Sequence, residues 1–195
     1  KPHYVIYPGD QCDLEMLLDL SKRKPNVSGV IDDYIYFDEI MNRHIGLCPD
    51  AQFVWLDGNH EERTYRTAEK YPAFRGLIEP PVYFKFEQRG IIYKRYNKLF
   101  TIGKKNWTHG VYYNMYHSKK TVYQFYRNIS YGHTHDRQVH TQINPADISD
   151  VHMAQSIGCL CNRNPHWRVN RPNRWVHGFE ITYIDERTGY FNDYF

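Results

Sequence analysis

QFVWLDGNHEERTYRTAEK, residues 52–70, holds two periodicities in nineteen positions. Gln52 to Leu56 is an apolar run, aromatic and β-branched, of the length of a buried strand. Asp57-Gly58 breaks it as a turn, and Glu61 to Lys70 continues as a helix. The same alternation extends outward. Upstream, His3 to Tyr7 reads as a buried strand ended by Pro8-Gly9. A helix follows Pro25-Asn26-Val27-Ser28, capped by Ser28 or Asn26, with Asp32 and Asp33 in its first turns and Gly46 ending it. Its apolar stripe is Val30, Tyr34, Phe37, Met41 and Ile45. Downstream, VYFKF, IIYKRY and KLFTI between about 82 and 102 read as three short strands, and Met115, Val122 and Tyr126 mark another helix. Strands near 129–131, 137–142 and 178–184 complete a chain of α/β class with mixed sheets.

At 195 residues the chain fits a single domain spanning 1–195. Apolar residues at 41% and charged ones at 24% exclude a disordered polymer, and a net charge of +3 is too small to argue for nucleic acid by itself. The 18 tyrosines favour ring-lined grooves. Four cysteines suggest no disulfide framework, so a reducing cytoplasm is the simpler reading. No apolar run approaches membrane-spanning length and nothing resembles a secretion signal, so no membrane partner is expected. Oligomeric state is not legible. The opening Lys1-Pro2, without methionine and running straight into a strand, reads as a processed or partial chain.

Four polar junctions follow strands, where loops of open α/β folds carry sites: Gly9-Asp10, Gly58 to Glu61, His109-Gly110 and Gly132 to His135. Their donors are imidazoles and hard oxygens, a mixture suited to Zn, Mn or Fe(II). If GHTHD (132–136) continued a strand, His133 and His135 would share one side, as two ligands of one centre require.

The ordered set GD-x-x-D (Gly9, Asp10, Asp13), GNHE (Gly58 to Glu61), HG (His109, Gly110) and GHTH (Gly132 to His135) resembles the calcineurin-like metallophosphoesterase family. The later GCLC (Gly158 to Cys161) with the WVHGF stretch resembles its phage-type branch. The resemblance implies a four-layer sandwich, two mixed β-sheets flanked by helices. It also implies hydrolysis of a phosphomonoester or phosphodiester by metal-bound hydroxide. Asp10 would bridge two cations; Asn59, His109 and His133 would complete one metal site, and His135 would belong to the other. His60 would assist the leaving group, and Asp13 would hold His60 in orientation. The cofactors implied are divalent ions, Mn first, with Zn, Fe, Ni or Mg as alternatives. The family's Asp-x-His pair on an upstream first strand has no counterpart here. The second metal site then keeps only Asp10 and His135, and a central strand is missing from the expected core.

Arg63, one helical turn after Asn59, either reaches the substrate phosphate or lies at the surface. Val151 to Phe179 contains no Asp or Glu and carries Arg163, Arg168, Arg171 and Arg174 among Trp167 and Trp175. It is either a solvated basic loop or a surface for a nucleotide or nucleic-acid phosphodiester. Cys159 and Cys161, a C-x-C pair without a second pair, read as packing near the rim of the site. His117 belongs with the core or surface histidines. A rival function keeps the fold without the chemistry: a binding or scaffold protein, metal-poor and catalytically impaired, with nucleic acid as one possible partner.

Overall fold

The computed structural model describes residues 1–19, 27–165 and 171–195. Its described residues are α/β, with a three-stranded parallel sheet, a five-stranded mixed sheet and a two-stranded antiparallel sheet, and resolve into two compact units, Lys1–Lys98 and Leu99–Phe195. No helix among the described residues is long and apolar enough to cross a membrane.

In the first unit β1 (Tyr4–Tyr7), β2 (Gln52–Leu56) and β3 (Ile92–Lys94) form a parallel sheet in that order. Helix α1 (Val30–Leu47) crosses between β1 and β2, and α2 (Glu62–Lys70) and α3 (Pro80–Tyr83) lie between β2 and β3. The stripe legible in α1 is the buried one. Tyr34, Phe37 and Met41 pack on Tyr7, Phe53, Trp55, Phe84 and Phe86, with Phe37 edge-on to Tyr7 and to Trp55 at 5.3 Å between ring centres. Rings at this spacing add to the plain burial of their area.

Three local readings are corrected. Gly46 does not end α1: it is solvent-exposed, costs the helix about 1 kcal/mol at most, and the stop falls at Cys48 ahead of Pro49, which disfavours helical geometry in its predecessor. The N-cap is Gly29, whose N–H donates to Asp32 Oδ2 at 3.0 Å, while Ser28 donates to Asp33 instead; Asn26 lies outside the described residues. VYFKF is not a strand. Pro80 and Pro81 start the helical turn α3, because fixed φ and a missing N–H suit a first turn, and Phe84 and Phe86 reach the core from the loop beyond.

The second unit holds β4 (Phe100–Ile102), β5 (Lys105–Thr108), β6 (Asn128–Tyr131), β7 (Val139–Asn144) and β8 (Asp147–Ser156) in the order β4-β5-β6-β8-β7. The β5–β6 and β6–β8 pairs are parallel and the two outer pairs antiparallel. Helix α4 (His117–Phe125) supplies Val122 to a small core with Ile129, Tyr131 and Ala154, and β9 (Ile181–Ile184) pairs with β10 (Phe191–Tyr194) as a hairpin.

Strand β5, KNWT, is buried at every position although three of its four residues are polar. Lys105, wholly buried, bonds the Asp193 carboxylate and lies 3.6 Å from Glu180, with its ammonium 4.7 Å from the Phe191 ring centre. Gln155 Nε2 donates to Asp193 Oδ2 at 2.6 Å and Glu180 Oε2 at 3.2 Å, and Trp107 Nε1 donates to Glu180 Oε1 at 3.0 Å. Each buried polar side chain of this knot thus has a partner, the condition for burying charge at all.

Candidate metal and phosphate site

In the first unit the junctions after β1 and β2 are knitted by Glu61. Its carboxylate, wholly buried, accepts the backbone N–H groups of Asp10 (2.9 Å), Cys12 (3.1 Å) and Gly58 (2.8 Å). Burial, then the charge of Asp10, pushes the Glu61 carboxyl above its ordinary range. The sequence reading gave Glu61 only to the start of a helix; its clamp on GD-x-x-D was missed, and the signal for it was the acid closing GNHE.

Asp10 adopts left-handed backbone geometry, φ 56°, which Asp tolerates better than most residues. Its Oδ1 accepts the His60 backbone N–H at 3.0 Å. A Cβ on Gly58 would stand 2.0 Å from Asp10 Oδ1 and 2.4 Å from Asp10 N, so the close approach of the two loops requires glycine. Gly58→Ala is expected to push Asp10 out of place and lower stability by about 1–3 kcal/mol, read by urea unfolding. An unchanged midpoint would contradict the packing of these loops.

His60 lies between two carboxylates, its Nδ1 3.3 Å from Asp13 Oδ1 and its Nε2 3.6 Å from Asp10 Oδ2. Arg63 Nη1 donates to the Asp13 carbonyl at 2.6 Å, which ties the guanidinium to the loop bearing Asp13. Burial lowers the Arg63 pKa against the opposing pull of Asp10 and Asp13. Cys12 is buried, and burial followed by the Glu61 and Asp33 charges raises its thiol far above the ordinary value, so it is no source of thiolate. Asn59 sits in the turn between β2 and α2, half-buried.

Asp57, at the end of β2, is a buried acid of another kind. It accepts from Trp55 Nε1 at 2.9 Å and from the Tyr93 hydroxyl, yet burial pushes its pKa up to about 7. A carboxyl raised on folding stabilises the fold fully at pH values below its unfolded pKa, and the contribution is lost as pH rises through the folded value. In chelator-treated protein, Asp57→Asn is therefore expected to remove roughly 2–3 kcal/mol of stability loss between pH 5 and pH 8, measured by urea unfolding at both. Parallel pH profiles for the two proteins would refute it.

In the second unit GHTHD is not strand. β6 ends at Tyr131, and His133 (φ 67°) and His135 (φ 61°) both take left-handed geometry, so the two rings part. Side-chain alternation does not apply where the backbone has turned. His133 Nδ1 lies 3.1 Å from Nε2 of His109, which is buried just past β5. His135 groups instead with Cys159 and Cys161, all three ligand atoms within 4.8 Å of one another. The reading of the cysteines as rim packing, with His135 apart from them, missed this; C-x-C carried the only signal.

Asp136, the acid of the motif, serves structure. Its carboxylate lies 3.0 Å from His117 Nε2, whose Nδ1 shares a 2.7 Å hydrogen bond with the Tyr131 hydroxyl. Burial works against its charge, yet the hydrogen bond from His117, followed by Thr134, holds its carboxyl below the ordinary value. His117 is a satisfied core histidine.

Two imidazole nitrogens about 2.1 Å from one tetrahedral ion are about 3.4 Å apart, so the 3.1 Å His109–His133 pair fits a divalent cation with little adjustment. Beside it a cleft of about 400 Å³ is lined by His133, Tyr113, Met115, Thr134 and Arg174 among others. Of the basic loop, Trp167 and Arg168 lie outside the described residues, whereas Arg174 and Tyr113 give the cleft a cation and a ring. Family models, curated proteins and solved structures were each compared with the chain, and none matches it.

Proposed function

We propose that the chain is a metal-dependent phosphoesterase of the calcineurin-like type, with the sandwich fold that type implies, acting on a phosphomonoester or phosphodiester. The observation that carries the reading is His60 held between the carboxylates of Asp13 and Asp10. One acid lies 3.3 Å from Nδ1, within reach of charge attraction though outside hydrogen-bond geometry, and the proposed proton transfer uses Nε2. The oxygens of Asp10 and Asn59 in the first unit and the imidazoles of His109 and His133 in the second are donors suited to a divalent cation, Mn first and Zn, Fe, Ni or Mg in its place. A bound cation supplies charge for the phosphoryl oxygens and a water acidified to near neutral pH.

The chain's own residues do the rest. Glu61 fixes Asp10 by gripping the backbone on both loops. His60 passes a proton to the departing oxygen as the P–O bond opens, with the Asp13 charge 3.3 Å from its Nδ1 favouring the protonated ring. Arg63 secures the Asp13 loop. Arg174 and Tyr113 in the cleft favour a nucleotide or nucleic-acid ester, since a guanidinium fork matches phosphate and a ring stacks on a base.

An aryl phosphate and its diester, offered with Mn, Ni, Zn and Mg in turn, test the proposal. Hydrolysis with at least one metal, abolished by chelator, is expected. A chain that takes up metal yet turns over neither ester would instead be the binding or scaffold protein of the rival reading.

A further inference from the structure

We infer that His135, Cys159 and Cys161 form a second, soft-metal site for zinc, independent of the first site of the proposed function. It lies wholly in the second unit, and two of its three ligands are thiols, a donor class the first site lacks.

The three side chains are delivered by backbone that has little freedom. Gly158 (φ 83°) and Gly178 bring two segments into contact: a Cβ on Gly158 would meet the Val176 carbonyl oxygen at 2.6 Å, and one on Gly178 the Ile157 carbonyl oxygen at 2.5 Å. Across that approach Cys159 N–H donates to Val176 O at 3.0 Å and Gly178 N–H to Cys159 O at 3.1 Å. His135 joins the same knot, its carbonyl accepting the Val176 N–H at 2.8 Å. His177 Nε2 donates to the Cys161 carbonyl at 2.8 Å, and Trp175 packs edge-on to the His135 ring at 4.4 Å between centres. The chain bends at Leu160 and Cys161 just after the Cys159–His177 bridge, and both thiols come within 4.8 Å of the His135 ring nitrogen, while Leu160 is exposed.

The thiol–imidazole distance is close to what zinc needs, and all three ligand atoms lie within 4.8 Å of one another. Sulfur at about 2.3 Å and imidazole nitrogen at about 2.0–2.1 Å from a tetrahedral zinc are about 3.6 Å apart; Cys161 Sγ and His135 Nδ1 are 3.9 Å apart. Binding releases the two thiol protons to solvent as both sulfurs become thiolates, and involves no redox change. Three protein ligands leave a fourth position for water or an incoming anion, the arrangement of exchangeable zinc sites.

The full chain, reduced and loaded with Co(II) in place of zinc, tests this by absorption. A thiolate-to-cobalt charge-transfer band with tetrahedral visible bands is expected in the wild type and in Asp10→Ala, and its loss in Cys159→Ser/Cys161→Ser. Thiol alkylation supplies a readout that needs no variant: zinc should protect Cys159 and Cys161 from iodoacetamide, and a chelator should restore their reaction. Absence of the band from the reduced wild type, its survival in the double variant, or equal alkylation with and without zinc would each overturn the site. Because Asp10→Ala should keep the band, failure of the phosphoesterase reading and failure of this one are separable.

Discussion

Replacing His60 with alanine is expected to slow hydrolysis of a phosphate ester by about 10²–10⁴-fold while the chain keeps its metal. The ring lies 3.6 Å from Asp10 and 3.3 Å from Asp13; under the proposed function its removal deletes the proton donor and leaves the cation ligands in place. Asp13→Asn isolates the orienting role. The amide retains shape but loses the charge beside Nδ1, and turnover should fall by about tenfold, more modestly than in His60→Ala, with KM little changed. The pair is read by steady-state kinetics and metal content on the same preparations. If His60→Ala retains wild-type turnover, or loses metal as fully as Asp10→Ala, the division of labour between proton transfer and cation binding fails.

Lys105→Met should be the most destabilising single change in the second unit, by about 3–5 kcal/mol. Methionine fills the space, but it leaves the Asp193 and Glu180 carboxylates, each about 5% exposed, without the ammonium that lies against both. Gln155 and Trp107 still donate to these carboxylates, which offsets part of the charge and none of its burial. A fall in Tm of roughly 10 °C or more follows for a unit of this size. Adding Asp193→Asn to Lys105→Met should recover part of the loss, because one uncompensated carboxylate is gone. Equal stability of wild type and Lys105→Met would show that the buried knot contributes nothing.

The elements that the sequence made legible share one property: they bury a contiguous apolar stripe. β2 shows a run of β-branched and aromatic residues, and α1 shows Tyr34, Phe37 and Met41 at helical spacing. β5 and β8 were invisible for the opposite reason. Lys105, Asn106 and Thr108 in β5, and Gln155 and Ser156 in β8, are buried polar residues satisfied by partners far along the chain, and no local pattern announces such partners. β8 also begins with exposed polar positions that resemble loop.

The candidate site divides the same way. GNHE and GHTH could be picked out as strand-to-loop junctions, because a glycine with hard donors after a strand is a local signal. Where each side chain goes was not local. Left-handed backbone at His133 and His135 separates two rings that strand periodicity would have joined, and sends one of them to cysteines more than twenty residues away. The clamp by Glu61 was equally hidden, since its partners are backbone N–H groups about fifty residues upstream.

The proposed cation binding is tested most directly by Mn(II) content, because thiolates do not compete well for that ion. After equilibrium dialysis, stoichiometric Mn(II) is expected in the wild type and in His60→Ala, with loss from Asp10→Ala and from His133→Ala. Full Mn(II) occupancy in both Asp10→Ala and His133→Ala, with the fold intact by circular dichroism, would contradict it.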